Sequence, residues 1–393
     1  MKIQKVSEID YACGWNRYTM DFIGIWPNER SLDQISSYKV LTAVCLMFCF
    51  ICLPQTINLF FIWTNFNLVV ENLSMGNISV TIALLKTIFF WLNGQSLKYL
   101  LSLMEEDQKA ATTEEESKTI RNTVTISRKI SIRSTLMCLS VVIVYTILRY
   151  VTILHTGRNL LFRAYFPYDT RISPNYELTF IAQLIAAFYA ATSYTAVDTF
   201  IAMLVLHICG QLSNLKRELI NLRSKNGDEF KTKLTNIVEK HDYLNRFVDT
   251  IENRFHIMLL IQILGCTVQL CFQCFQALLS YIEGPDELFI LEVSFLMLYI
   301  CYVLIQLYLY CYVGERLLSE STDILQAVYD CEWYNLTPKE SKSLLMIMYR
   351  ARSPLYLSAG KFCIFTLELY SSILKTSMGY ISVLYAIKIK TST

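Results

Sequence analysis

Ionisable side chains are sparse in the apolar parts of this chain, and the most telling of them sit in its last apolar stretch, Lys361 to Ile387. That stretch carries Glu368, Lys375 and a run of Ser, Thr and Gly, which a helix facing only lipid would not keep. Helical steps of three or four place Glu368, Ser372, Thr376, Gly379, Val383 and Ile387 on one face, polar in its first part and apolar at its end. A water-filled passage closed by an apolar ring has this order of residue types, since a ring of Val or Ile blocks ions by dewetting. The same stripe would equally suit a seam between helices of one chain, with Ser and Gly as close-contact residues. Glu368 could attract cations and Lys375 could contact a neighbouring subunit or the interface, and either could instead sit in a structural pair.

Other candidate groups are dispersed. His155, His207, His241 and His256 form no cluster with acidic residues, and neither a catalytic constellation nor an inverted repeat is evident, so no enzyme or transporter is expected. Of the 13 cysteines, Cys49 with Cys52 and Cys271 with Cys274 have Cys-x-x-Cys spacing. Both pairs lie in apolar runs without His nearby, which reads as packing; no metal and no cofactor is expected. Phe295, Tyr299 and Tyr302, spaced by four and three, share a helical face that could wall a pocket or simply pack. Lys86, Arg149, Asp198 and Glu292 lie at membrane depth, where an unpaired charge costs roughly 2.5–3.5 kcal/mol, so pairing or water contact is expected.

These residues need elements to hold them. With 54% hydrophobic and 17% charged residues, the composition is that of a polytopic membrane protein. The net charge of +2 gives no argument for nucleic acid. Seven apolar stretches of spanning length run at about 38–63, 69–95, 134–155, 178–208, 257–282, 287–313 and 361–387. The second is the weakest, interrupted by Asn72, Asn77 and Lys86. The start of the chain has no continuous apolar core of the kind a cleaved signal needs.

Alternate connecting segments hold twenty-five Lys and Arg on one side and five on the other. The positive-inside rule then sets the N-terminus in the cytosol and, after seven crossings, the C-terminus outside. This is the reverse of a G-protein-coupled receptor, the alternative that seven spans alone would suggest. Asn72 and Asn77 head glycosylation sequons near the outer face. Apolar residues keep helical spacing through 210–223 and 229–255, so the fourth and fifth spans are expected to continue as helices into the cytosol. Thr337-Pro338 marks the start of a further helix, Lys339 to Arg352. Apolar faces projecting beyond the bilayer call for an intracellular bundle shared between subunits. The organisation is thus an N-terminal cytosolic segment (1–37), a six-helix bundle (38–313), intracellular anchor helices (314–360), and a last helix with a short tail (361–393).

The C-terminal third resembles the insect odorant receptor family. The resemblance is carried by Gly314-Glu315, Glu320-Ser321, Ala327, Tyr329 and Trp333, then by Pro354, Ala359-Gly360, Phe362, Ser371, Lys375, Ser377, Tyr380 and Val383-Leu384. The Thr-Tyr and Gln-Phe pairs of the sister gustatory receptors are missing, and the family's common Tyr-Ser-Tyr-Phe is Met378-Gly379-Tyr380-Ile381 here. The short 209–256 segment is unlike the family's co-receptor, whose corresponding loop is much longer, and resembles an odour-tuning subunit.

The resemblance implies an all-α membrane protein working as a ligand-gated, nonselective cation channel in a heterotetramer with the co-receptor. Its place would be the plasma membrane of the olfactory neuron dendrite. Val383 and Ile387 match the family's gate by alignment through Tyr380. A volatile ligand would occupy an outer cavity among the second, third, fourth and sixth spans. The outer halves offer Met75, Ser79 and Ile82, then Tyr145, Leu148 and Thr152. The fourth span offers Phe180, Gln183, Ala187 and Phe188, and the sixth Phe295, Tyr299 and Tyr302. The loop Thr156 to Glu177 could fold over this cavity as a lid or be a plain structured connection.

Overall fold

The computed structural model describes residues 8–27, 35–111, 113–223, 227–283 and 288–392. The chain is almost entirely helical. Helix α1 is Glu8–Ile23. The first two spanning helices, α2 (Ser36–Ile62) and α3 (Phe66–Leu92), are followed by α4 (Gly94–Ala110) and the long α5 (Glu114–Thr156). Then come α6 (Asn175–Ile220), α7 (Gly227–Glu283), α8 (Phe289–Asp330), α9 (Pro338–Ala351) and α10 (Leu367–Ser392). Six helices are long and apolar enough to cross a membrane among the described residues, α2, α3 and α5 to α8. The seventh expected span is the helix α10, part of whose side chains lie outside the described residues.

Helix α6 is the axis. Its apolar window is wholly buried, and it packs against α1, α2, α3, α5, α7 and α8. Ala186, Ala187, Ala190 and Ala191 keep its surface thin in one half, while every residue from Ser193 to Leu212 is buried. A helix that is apolar all round must be enclosed by others, and this one is. At 46 residues it would span about 69 Å, over twice a ~30 Å hydrocarbon core, so it projects beyond the membrane as its spacing foretold.

Local signals set several boundaries. Thr113 starts α5 with a capping box to Glu116, and Thr337 starts α9 in the same way, its hydroxyl accepting from Glu340 N at 3.4 Å with Pro338 at the first position. Helices α2 and α3 each contain a π-helical turn, Phe48–Cys52 and Leu73–Asn77, and the two turns touch. Such turns cluster at functional positions. The interruption of the second span by Asn72 and Asn77 coincides with one of them. Both side chains are buried, Asn72 donating to Arg163 O and Asn77 to Thr56 Oγ1, so neither sequon presents a free amide to a glycan.

The last helix begins later than its apolar run. Residues 358–364 form a two-residue antiparallel hairpin, β1 (Ser358–Ala359) with β2 (Cys363–Ile364), turning at Gly360 and Lys361, whose φ values are +62° and +64°. Gly360 N donates to His256 O at 2.8 Å and Phe365 N to Leu357 O at 2.9 Å. Leu367 N, in the first turn of α10, donates to Glu315 Oε2 at 3.1 Å. The chain from Leu355 to Leu367 is therefore tied to α7 and α8 before α10 leaves the bundle.

Candidate ligand cavity and exposed helix face

The end of the bundle that carries the Thr156–Glu177 connection, called here the loop end, encloses a cavity of about 80 Å³. Helix α3 contributes Met75, Ser79 and Val80, α5 contributes Cys138 to Thr146, and α6 contributes Ala187, Ala190, Ala191 and Tyr194. Helix α8 adds Phe295, Tyr299 and Tyr302, on one face as their spacing requires. The lining is chiefly apolar and aromatic with a few polar atoms, the usual chemistry of a site for a small organic molecule.

The aromatic wall is one continuous set of rings. Tyr145 stacks on Phe162 at 5.4 Å and packs against Phe295 at 5.1 Å; Phe295 meets Tyr299, and Tyr299 stacks on Tyr302. Polar atoms meet in a knot at the Tyr299 end of this wall. Ser79 Oγ is hydrogen-bonded to Tyr299 Oη, and Gln269 Nε2 donates to Ser79 Oγ at 2.8 Å. Tyr302 Oη is buried beside the Cys138 thiol.

Seven of the thirteen residues expected here line the cavity: Met75, Ser79, Tyr145, Ala187, Phe295, Tyr299 and Tyr302. Leu148 and Thr152 lie one or two turns further along α5 and line a second cavity. Ile82 is buried against Gly265 of α7, Phe180 pairs with Tyr176, and Phe188 is half-buried outside the lining. Gln183 is buried below the loop rather than in the cavity. Its Oε1 accepts from Phe162 N at 3.0 Å and its Nε2 donates to Phe162 O at 3.2 Å, so it clamps the loop in place.

The sequence reading missed the remaining lining residues, including those of two elements from which it drew none. Gln269 comes from the fifth span, which was given no share of the site. Leu161 and Phe162 come from the connecting loop, where the run Leu160-Leu161-Phe162 was the legible signal: three buried apolar residues inside a polar segment. Tyr145 Oη donates to Leu161 O at 3.1 Å and Arg149 Nη2 to Leu160 O at 3.0 Å, which seat the loop across the cavity.

Beneath the cavity lies the answer to the buried charges. Lys86 and Asp198, both almost wholly buried, form an ion pair, and Tyr310 Oη donates to the same carboxylate oxygen. The Lys86 ammonium also sits 3.5 Å from the centroid of the Tyr194 ring, a cation–π contact. Arg149 and Glu292 both line the second cavity.

Among the described residues, helix α10 packs on α7 and α8, with Ile373, Ser377 and Ile381, four residues apart, buried. The stripe expected from sequence faces away: Glu368, Ser372, Thr376, Gly379 and Val383 are all exposed, Val383 at 57%. The described residues of the stripe therefore form no packing seam within the chain. The side chain of Ile387 lies outside the described residues.

The family model described as 7tm Odorant receptor matches residues 65–378, most of the chain. This chain belongs to the odorant receptor family. Odorant receptor 13a of Drosophila melanogaster is 27% identical over 243 residues, covering 58% of this chain and 57% of that receptor. The odorant receptor coreceptor of Anopheles gambiae is 28% identical over 151 residues, 38% of this chain and 30% of the coreceptor. The chain thus spans about half the length of the first relative and less of the second. The fold matches that of the insect olfactory receptor OR5 from Machilis hrabei, solved in complex with eugenol, with a TM-score of 0.84 over 96% of this chain and 100% of that one at 17% identity. The all-helical, multi-pass architecture expected from sequence is thereby shown.

Proposed function

We propose that this odorant receptor is a tuning subunit of a ligand-gated, nonselective cation channel, binding a small volatile organic molecule in the loop-end cavity and lining a central pore with α10. The observation that carries the reading is the free face of α10. A polar-to-apolar stripe turned away from its own bundle needs water or further subunits, whereas a receptor acting through G proteins would need only the cavity. The charge bias of the connecting segments supports a cytosolic N-terminus, which makes the loop end extracellular. The G-protein-coupled alternative requires the opposite orientation.

The partner proposed is the family's co-receptor, in a heterotetramer at the plasma membrane of the olfactory neuron dendrite. Similarity to the coreceptors of mosquitoes supports a shared assembly surface. In this reading 1–37 is a cytosolic lead-in, 38–313 the binding bundle, 314–360 the anchor, and 361–393 the pore helix and tail. Residues Met75, Ser79, Tyr145, Ala187, Phe295, Tyr299 and Tyr302 contact ligand, and Val383 with Ile387 forms the gate. The test is current recording from cells co-expressing this chain and the co-receptor during application of an odorant panel. Odorant-evoked cation current that needs both chains supports the reading. Responses that appear without the co-receptor and vanish when G-protein signalling is blocked refute it.

A further inference from the structure

A second cavity of about 270 Å³ adjoins the first toward the loop end. It is polar where the first is apolar, with Glu71, Arg149, Thr152, Gln276 and Glu292 in its walls. Arg149 Nε and Gln276 Oε1 are buried at its wall with no protein hydrogen-bond partner among the described residues, so each has unused hydrogen-bonding capacity that a turn of the side chain would bring to the cavity. Three side chains line both cavities: Met75, Tyr145 and Phe295. They are the septum between a polar chamber and an apolar one.

The three are not equally held. Tyr145 is fixed by its hydroxyl on Leu161 O and by rings on two sides, and Phe295, 2% exposed, is wedged between Tyr145 and Tyr299. Met75 is only half-buried, and its unbranched thioether side chain has several rotatable bonds. It also stands in the π-helical turn Leu73–Asn77, where the regular hydrogen-bond ladder of α3 is interrupted. Next to it, Gly76 lies so close to Gln55 Oε1 and the Phe162 ring, 2.8 Å from where a Cβ would stand, that this part of the turn is clamped. The backbone is held, and Met75, packed against the core but only half-buried, is the septum side chain best able to change rotamer.

We propose that the polar cavity is a vestibule, a first station for uncharged molecules with one hydrogen-bonding tip, and that Met75 is the door through which they pass into the apolar cavity. The vestibule's unsatisfied donor and acceptor, Arg149 Nε and Gln276 Oε1, would turn to engage an alcohol or carbonyl group while the apolar body waits at the septum. This rests on the reading that the inner cavity holds the ligand. A door sets the speed of entry and exit together, whereas a lining residue sets affinity.

The test is rapid-perfusion current recording from the co-expressed pair, with surface labelling to confirm equal delivery. Met75→Ala is expected to speed both activation and deactivation several-fold and Met75→Phe to slow both, a change of the two rates in the same direction that a loss of affinity alone does not produce. Thr152→Cys treated with a membrane-impermeant thiol reagent is expected to slow activation relative to the wild-type chain given the same reagent. Unchanged rates in both Met75 variants, or a Thr152→Cys chain indifferent to the reagent, overturn the door and point to access from the lipid side. Ala187→Phe, which fills the inner cavity, separates the two claims. If it leaves the odorant response intact, the ligand reading itself fails; if it abolishes the response while the Met75 variants keep wild-type rates, only the door fails.

Discussion

Tyr299 shares its hydroxyl with Ser79, which in turn accepts from Gln269, so three helices meet at one polar point in an otherwise apolar cavity. A ligand that hydrogen-bonds there competes with, or joins, an existing network. Tyr299→Phe removes one hydroxyl and keeps the ring stacked on Tyr302. A net hydrogen bond is worth about 0.5–1.5 kcal/mol, so the half-maximal concentration of an alcohol or ketone agonist should rise roughly two- to tenfold, while a hydrocarbon agonist is unaffected. Dose–response curves for a matched pair of agonists check this. The Lys86–Asp198 pair makes a different kind of prediction. Lys86→Met strands a buried carboxylate, a loss of about 3–5 kcal/mol, and surface expression should collapse. Adding Asp198→Leu removes the stranded charge and should restore part of the expression, measured by surface biotinylation. Sequence placed both charges at membrane depth but could not pair them. Their partners are set by which faces of α3 and α6 meet, and residues 112 positions apart carry no local trace of that.

Helices were the most legible elements, because span length and 3.6-residue periodicity are properties of short windows. The extension of α6 and α7 past the membrane and the capped start of α9 at Thr337 followed from the same local chemistry. The hairpin before α10 did not. Apolar residues from Phe362 onward fit a helix as well as a strand, and what decides the matter is long-range: Gly360 bonded to His256, and Ser358 N donating to Glu252 Oε2 at 2.9 Å. Gly314 is the hinge of that attachment. A Cβ there would collide with the backbone carbonyl of Phe365, whose ring lies against Tyr310. Gly314→Ala must push the hairpin away from α8, an overpacking cost of typically 1–3 kcal/mol. Because the chain leaving the hairpin makes the Glu315–Leu367 contact that starts α10, the expected result is reduced odorant-evoked current at preserved surface expression, which paired recording and biotinylation would detect.

At the scale of the whole molecule, two helix faces among the described residues are left uncovered by the chain and bear on assembly. Leu345, Met346 and Tyr349 of α9 are exposed at 60%, 76% and 77%, on the side of the molecule where Lys and Arg concentrate. Such a patch outside the membrane marks a protein contact. Met346→Glu with Tyr349→Glu should reduce co-purification of the co-receptor, and unchanged recovery would remove this surface from the assembly. The second surface is the outward face of α10, and its argument turns on order along the helix. Glu368, Ser372 and Thr376 would hold water in a passage, whereas Val383, about two turns beyond Thr376, would expel it. If subunits meet around that face, shrinking or polarising Val383 weakens the apolar seal without touching the ligand cavity. Val383→Ser should therefore raise the current recorded before any odorant is applied, leaving the half-maximal concentration near its wild-type value. Glu368→Gln should instead lower cation conductance with little change in resting current, since it removes charge from the wet part of the path. A Val383 variant with unaltered resting current and ion permeability would mean that the free face of α10 does not meet the ions, and the pore would have to be sought elsewhere.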